Sequence, residues 1–94
     1  DEMDLLFSEL EECIPSNHTV EHEWEANQVI ELINAFLYSL DAENRKVFVR
    51  RYWYADSIKD ISYSLHMSTS KVKSMLFRTR KALKDYLEKE GVVL

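Results

Sequence analysis

The chain has 94 residues with 46% apolar and 31% charged residues, and only one Gly, one Pro and one Cys. That length gives one domain with a modest core, and the lone Cys13 excludes an internal disulfide and fits a reducing compartment, the cytoplasm. No apolar run is long enough to span a bilayer and no basic start leads into an apolar core, so neither a membrane anchor nor a signal peptide is expected.

The net charge of −5 averages two opposed halves. Residues 1–44 hold 12 of the 17 Asp/Glu and no Lys or Arg, whereas all 12 Lys/Arg fall in residues 45–94. An acidic chain as a whole argues against nucleic acid. Phosphate contact depends on where the cations lie, however, and here they are all in one half. Solvated helix faces would account for many charges but not for their complete segregation.

Residues 1–18 are expected to be a linker. Met3, Leu5, Leu6 and Leu10 also allow a short amphipathic helix, ended by Pro15, Ser16 and Asn17. Leu6, Phe7 and Ile14 are apolar enough to dock, on this domain or on a neighbour. The chain starts at Asp1 without an initiator Met, as expected of a fragment excised from a longer protein or of a processed product. The domain proper is expected over 19–94.

A long helix is predicted over 19–39. Thr19 or its neighbours cap it, and Glu21, Glu23 and Glu25 suit the positive end of its dipole. Val29, Ile30, Ile33, Phe36, Leu37 and Leu40 form its core-facing stripe. Asp41 caps the next helix, Ala42 to about Tyr54, whose inner face is Val47, Phe48, Arg51 and Tyr52. Val49 and Trp53 make that helix apolar all round, so both of its sides are expected to be covered. A short loop, Tyr54-Ala55-Asp56, leads to a helix from Ser57 to Leu65. Ser57 caps it with Asp60 three residues on, and Ile58, Ile61 and Leu65 hold helical spacing. The turn at His66 needs a left-handed backbone, where Gly is usual and His is tolerated better than most. Ser68 then caps a last helix running from about Thr69 to Glu90, stopped by Gly91.

That last helix has two faces. Val72, Leu76, Thr79, Leu83 and Tyr86 form an apolar stripe. Lys71, Ser74, Arg78 and Lys81 form another, flanked by Lys73, Phe77, Arg80 and Lys84. A short helix, a tight turn and a long helix with a core stripe and a basic arc is the arrangement of a DNA-reading helix–turn–helix. The fold class expected is all-α, a compact domain of four or five helices with a C-terminal helix–turn–helix and no wing.

The stretch Leu37–Glu90 resembles the C-terminal domain, region 4, of sigma-70-type RNA polymerase sigma factors, and most of all that of the extracytoplasmic-function (ECF) group. The resembling parts are Leu-x-x-Leu at Leu37–Leu40, Arg-x-Val-Phe-x-x-Arg-Tyr at Arg45–Tyr52, the Ile61-to-Leu65 spacing, and Ser68–Leu83. The specific string is Val-Lys-Ser-x-Leu-x-Arg-x-Arg, Val72–Arg80. Residues 1–36 would then be the linker after a promoter-melting domain and the first helix of region 4.

The resemblance implies binding to the promoter −35 element with the last helix in the major groove. It also implies docking on the β flap of RNA polymerase and, in many members, sequestration by an anti-sigma factor. Carried over by position, Lys73, Ser74, Phe77 and Arg78 approach bases, and Thr69, Ser70, Lys71, Arg80 and Lys81 contact phosphates. The apolar faces of the Asp41–Tyr54 helix and of the last helix's far end would serve the core and the flap. Five positions depart from the family pattern. Asp41 replaces a proline, His66 the turn glycine, Ala55-Asp56 a Gly-Leu, and Met75 a common Arg. The last change removes one expected cation from the helix.

The residue chemistry agrees with that assignment. Lys and Arg reach guanine O6 and N7, Arg in bidentate fashion, and Ser74 bonds either kind of base edge. Phe77 fits a thymine methyl or sugar, and equally fits partial burial against a neighbouring helix. The amides near Thr69 and Ser70 suit a phosphate.

Other chemistry finds little support. Cys13, His18 and His22 supply too few ligands for zinc and read as surface residues, so no metal or cofactor is expected. His66 reads as a turn residue rather than a catalyst. Glu21, Glu23, Glu25 and Glu31 surround one solvated helix. No phosphate loop, nucleophile elbow or Ser/His/Asp set appears, so neither an enzyme nor a small-molecule substrate is expected. Two rivals remain. One is the DNA-binding domain of a LuxR-type regulator, which shares the motif. The other is a helix–turn–helix used only for protein contacts, its acidic half binding a basic partner. A further expectation rests on charge alone: the acidic segment folds back on the basic face and weakens DNA binding.

Overall fold

A computed structural model of the chain describes Leu6, residues 8–10 and residues 23–91, with side chains described from residue 28 in the last stretch. The described residues form helices and no strand. Leu6 and residues 8–10 are helical. Four named helices follow, α1 (Glu23–Ser39), α2 (Ala42–Tyr52), α3 (Ile58–Leu65) and α4 (Thr69–Lys89). The all-α fold and the C-terminal helix–turn–helix are as the sequence predicts. The expected helix start at Thr19 lies outside the described residues.

Local side chains set the boundaries. Asp41 Oδ2 accepts from the Asn44 amide at 3.2 Å and its Oδ1 from Asn44 Nδ2 at 2.7 Å. These bonds to the ionised form hold the Asp41 carboxyl below its usual range. Ser57 Oγ accepts from the Asp60 amide and Ser68 Oγ from the Lys71 amide, both at 3.0 Å. All three residues have the extended backbone of an N-cap, and each satisfies an amide that the helix leaves without a partner. At the end of α4 the chain turns at Gly91 with φ +85°, a left-handed backbone that glycine, lacking a Cβ, adopts at no steric cost.

The Arg-x-Val-Phe-x-x-Arg-Tyr string of α2 is a set of inward contacts. Val47 and Phe48 are fully buried in the core. Arg45 donates to the carbonyls of Leu37 at 3.0 Å and Leu40 at 2.9 Å, closing the C-terminal end of α1. Arg51 is 4% exposed and donates to the Asp56 carbonyl at 3.0 Å, tying α2 to the loop before α3. Tyr52 packs on Phe48 with ring centroids 4.7 Å apart.

The core joins Phe36 and Leu37 of α1, Val47 and Phe48 of α2, Ile61 of α3, and Val72, Met75, Leu76, Leu83 and Leu87 of α4. The last helix packs against each of the other three. It is therefore gripped along its length, while its opposite side stays in solvent. Four details differ from the sequence reading. Met75 is 3% exposed, so it widens the core stripe and takes no place on the basic arc. Leu87 completes the stripe and Tyr86 lies half-buried beside it, against Phe36 at 5.5 Å between ring centroids. Ile30 is more than half exposed, so it drops out of the α1 stripe, although Val29 beside it is half-buried. On α2, Val49 packs on the core but Trp53, just past the helix, is largely exposed.

Candidate nucleic-acid interface

The turn between α3 and α4 fixes how the last helix is presented. His66 has φ 57° and ψ 45°, the left-handed backbone expected of it. The Met67 amide bonds back to the Ser62 carbonyl at 3.0 Å, and Ser62 Oγ donates to the Met67 carbonyl. Met67 itself packs on the core. A left-handed residue, a six-residue backbone bond and an apolar anchor are the parts of a Schellman stop. Ser68 then starts α4 two residues later, so the angle between the two helices is set by bonds within the turn.

On the outer side of α4, Thr69, Ser70, Lys71, Lys73, Ser74, Phe77, Arg78, Lys81 and Lys84 are all exposed. Lys73, Ser74, Phe77 and Arg78, the four residues expected to approach bases, line one shallow depression. Phe77, Arg80, Lys81 and Lys84 line a second. Phe77 belongs to both and is 59% exposed, a large apolar ring surrounded by cations. Positions i, i+1, i+4 and i+5 of a helix share a face, so the Lys73 set needs only α4 to come together. Such a surface can donate hydrogen bonds at several points, attract phosphates and offer one apolar contact.

Arg80 differs from its neighbours. Its side chain is 16% exposed, and Nη1 donates to Tyr52 Oη at 2.8 Å and lies 3.8 Å from Glu9 Oε1. Tyr52 Oη donates in turn to Glu9 Oε1 at 2.7 Å. Glu9 Oε2 lies 3.5 Å from Arg51 Nη2. Burial, and then the bond to the Glu9 carboxylate, raises the Tyr52 hydroxyl well above its ordinary range, with Arg80 opposing both. Tyr52 is therefore a neutral donor at neutral pH. Arg51 Nε is buried and has no acceptor among the described residues. Sequence reasoning left Glu9 and Tyr52 out of the site, because Glu9 and Tyr52 are 43 positions apart and no local pattern links them.

His66 lines a separate surface depression with Lys59, Asp60, Ser62, Tyr63 and Met67. Among the described residues no group of three or more His, Cys, Asp and Glu is placed to hold a metal ion, and no helix is long and apolar enough to cross a membrane. Cys13, His18 and His22 lie outside the described residues.

Comparison with known families matches the model of sigma-70, region 4 to residues 30–83. No curated protein matches the chain. The matched span runs from within α1 through both junctions of the helix–turn–helix to Leu83 of the core, and takes in every exposed residue of the basic arc except Lys84. The geometry and the match agree, and with more than half of its length covered the chain belongs to the sigma-70 family as a region 4 domain, the DNA-binding helix–turn–helix of a sigma factor.

Proposed function

We propose that this domain recognises the promoter −35 element for a sigma factor of the ECF group and docks on the β flap of RNA polymerase. The observation that carries the reading is the common depression of Lys73, Ser74, Phe77 and Arg78 on the solvent side of a helix gripped by three others. A helix held on one side and open on the other can enter the major groove without unpacking the core. Lys73, Ser74 and Arg78 then bond base edges while Phe77 packs on a thymine methyl or sugar. Thr69 and Ser70 bring the first amides of α4 to a phosphate, and Lys71 and Lys81 add charge contacts. Arg80 joins them when it leaves Tyr52. The family match favours this account over a LuxR-type regulator.

The flap reading has a narrower basis. Val47, Phe48, Leu83 and Leu87 are consumed by the core, so they cannot serve a partner. Trp53 and Tyr54, at the end of α2, are exposed and offer apolar surface for one. Co-purification with the isolated β flap, lost on Trp53→Ala, tests it.

Fluorescence anisotropy on randomised duplexes at two salt concentrations tests the DNA reading. Binding should select a short motif, and Arg78→Ala should cost about 1–3 kcal/mol of discrimination at one position. Lys71→Ala should weaken all sequences alike and reduce the salt slope by about 1. Failure to bind at low salt would falsify the DNA reading and leave a protein-contact role.

A further inference from the structure

The N-terminal helical segment lies on the same side of the core as Arg80. Leu6 is buried and Leu10 packs on the core one helical turn later. Glu9, beside Leu10, points its carboxylate at Tyr52, Arg51 and Arg80. Arg80 is also part of the depression lined by Phe77, Lys81 and Lys84 on the basic arc. Its guanidinium thus sits at the boundary between the surface offered to DNA and the dock of an acidic segment.

We propose that the segment around Leu6–Leu10 is an acidic strap that withholds Arg80 from the DNA phosphates, so that release of the strap adds one cationic contact to the interface. This rests on the reading of α4 as the DNA-binding helix. Charge supports the assignment: Glu9 comes from the half of the chain that has no Lys or Arg, and Arg80 from the half that holds them all. Geometry supports it too. Glu9 keeps Tyr52 at 2.7 Å and Arg51 at 3.5 Å, so its carboxylate retains partners when Arg80 turns away. Arg80 meets Glu9 at 3.8 Å, farther than Tyr52 or Arg51 does, and its own 2.8 Å bond to Tyr52 is to a neutral hydroxyl, so both can be exchanged for a charge-assisted bond to a phosphate. Among the described residues the apolar anchor is two leucines, a small gain against the entropy of ordering the segment. A strap so held responds to competition at Arg80.

The test is a pair of double-mutant cycles on the full chain, read by anisotropy on its selected duplex at 50 and 200 mM salt. Leu6→Ala loosens the strap without changing any charge, and Glu9→Gln removes the negative charge that faces Arg80 while the bond from Arg80 to Tyr52 remains. Both should tighten DNA binding and steepen the salt slope by about 0.9, so that the gain is about threefold larger at the lower salt. Arg80→Ala should change binding little in the native chain and erase the gain in either variant. Circular dichroism melts accompany each protein.

If Arg80→Ala weakens binding equally in all three backgrounds, Arg80 is already on the DNA and the strap proposal is wrong. If Glu9→Gln tightens binding but Leu6→Ala does not, the effect is long-range charge alone, and the proposal again fails. If Leu6→Ala unfolds the domain, the segment is a fixed part of the core and no strap. Arg78→Ala is the control for the underlying reading: if it leaves binding unchanged in every background, α4 is not the DNA helix and both readings fall together.

Discussion

The two junctions of the helix–turn–helix solve the same problem by different means. Ala55, between α2 and α3, has φ 56°, and His66, between α3 and α4, has φ 57°. Both are left-handed, and neither is glycine. At His66 the turn holds itself, through Met67 N to Ser62 O, the Ser62 hydroxyl and the Met67 side chain. At Ala55 the holding groups come from the preceding helix. The Asp56 amide bonds to the Arg50 carbonyl at 3.0 Å, Arg50 Nε pairs with Asp56 Oδ2 at 2.8 Å, and Arg51 donates to the Asp56 carbonyl. One junction is written in its own few residues. The other depends on two arginines reaching forward, one of which also faces Glu9 of the N-terminal segment.

That difference predicts unequal sensitivity. Arg51→Ala should be the most damaging change at either junction, because it removes a buried cation, leaves the Asp56 carbonyl without its donor and opens a space beside Tyr52. A loss of about 3 kcal/mol is expected from breaking such a buried contact. In a domain of this size that lowers the melting midpoint by more than about 10 °C. A change under about 1 kcal/mol would show that Arg50 alone holds the α2–α3 loop. Ser62→Ala tests the other junction. It removes one side-chain bond and leaves the Schellman backbone bond in place, so about 1 kcal/mol is expected by urea titration. Equal losses from the two variants would erase the contrast.

The same contrast explains what could be read from residues alone. The three caps, Asp41, Ser57 and Ser68, the left-handed His66 and the stop at Gly91 are all interactions across a few positions, and each stands where its residue type places it. The basic arc was legible for the same reason, since one helix carries it. Contacts between distant segments were not. Nothing near Arg80 in the chain announces Tyr52, 28 positions away, and nothing near Glu9 announces either arginine. Met75 reads as a surface position where family members carry Arg. Its burial fits the i, i+3, i+4 and i+7 spacing of Val72, Met75, Leu76 and Thr79, and it was the family's Arg at this place that drew it to the surface in the sequence reading. Ala55 stood in the place of a family glycine. Its left-handed backbone was not read from the sequence, whereas that of His66 was.

The smallest effect separates the two residues themselves. A left-handed backbone brings the Cβ of an L-residue against the following carbonyl, a cost of roughly 1–2 kcal/mol that glycine avoids. Glycine in turn loses more chain entropy on folding, roughly 0.5–1 kcal/mol relative to Ala. Ala55→Gly should therefore stabilise the domain slightly, by about 0.5 kcal/mol. His66→Gly should gain less, since His is among the side chains that adopt this conformation more readily than most. Differential scanning calorimetry on both variants decides the order. A larger gain at His66 would mean that the strain is concentrated next to α4. The α3–α4 turn, not the arginine-held loop, would then be the place where this domain gives up stability for the pose of α4.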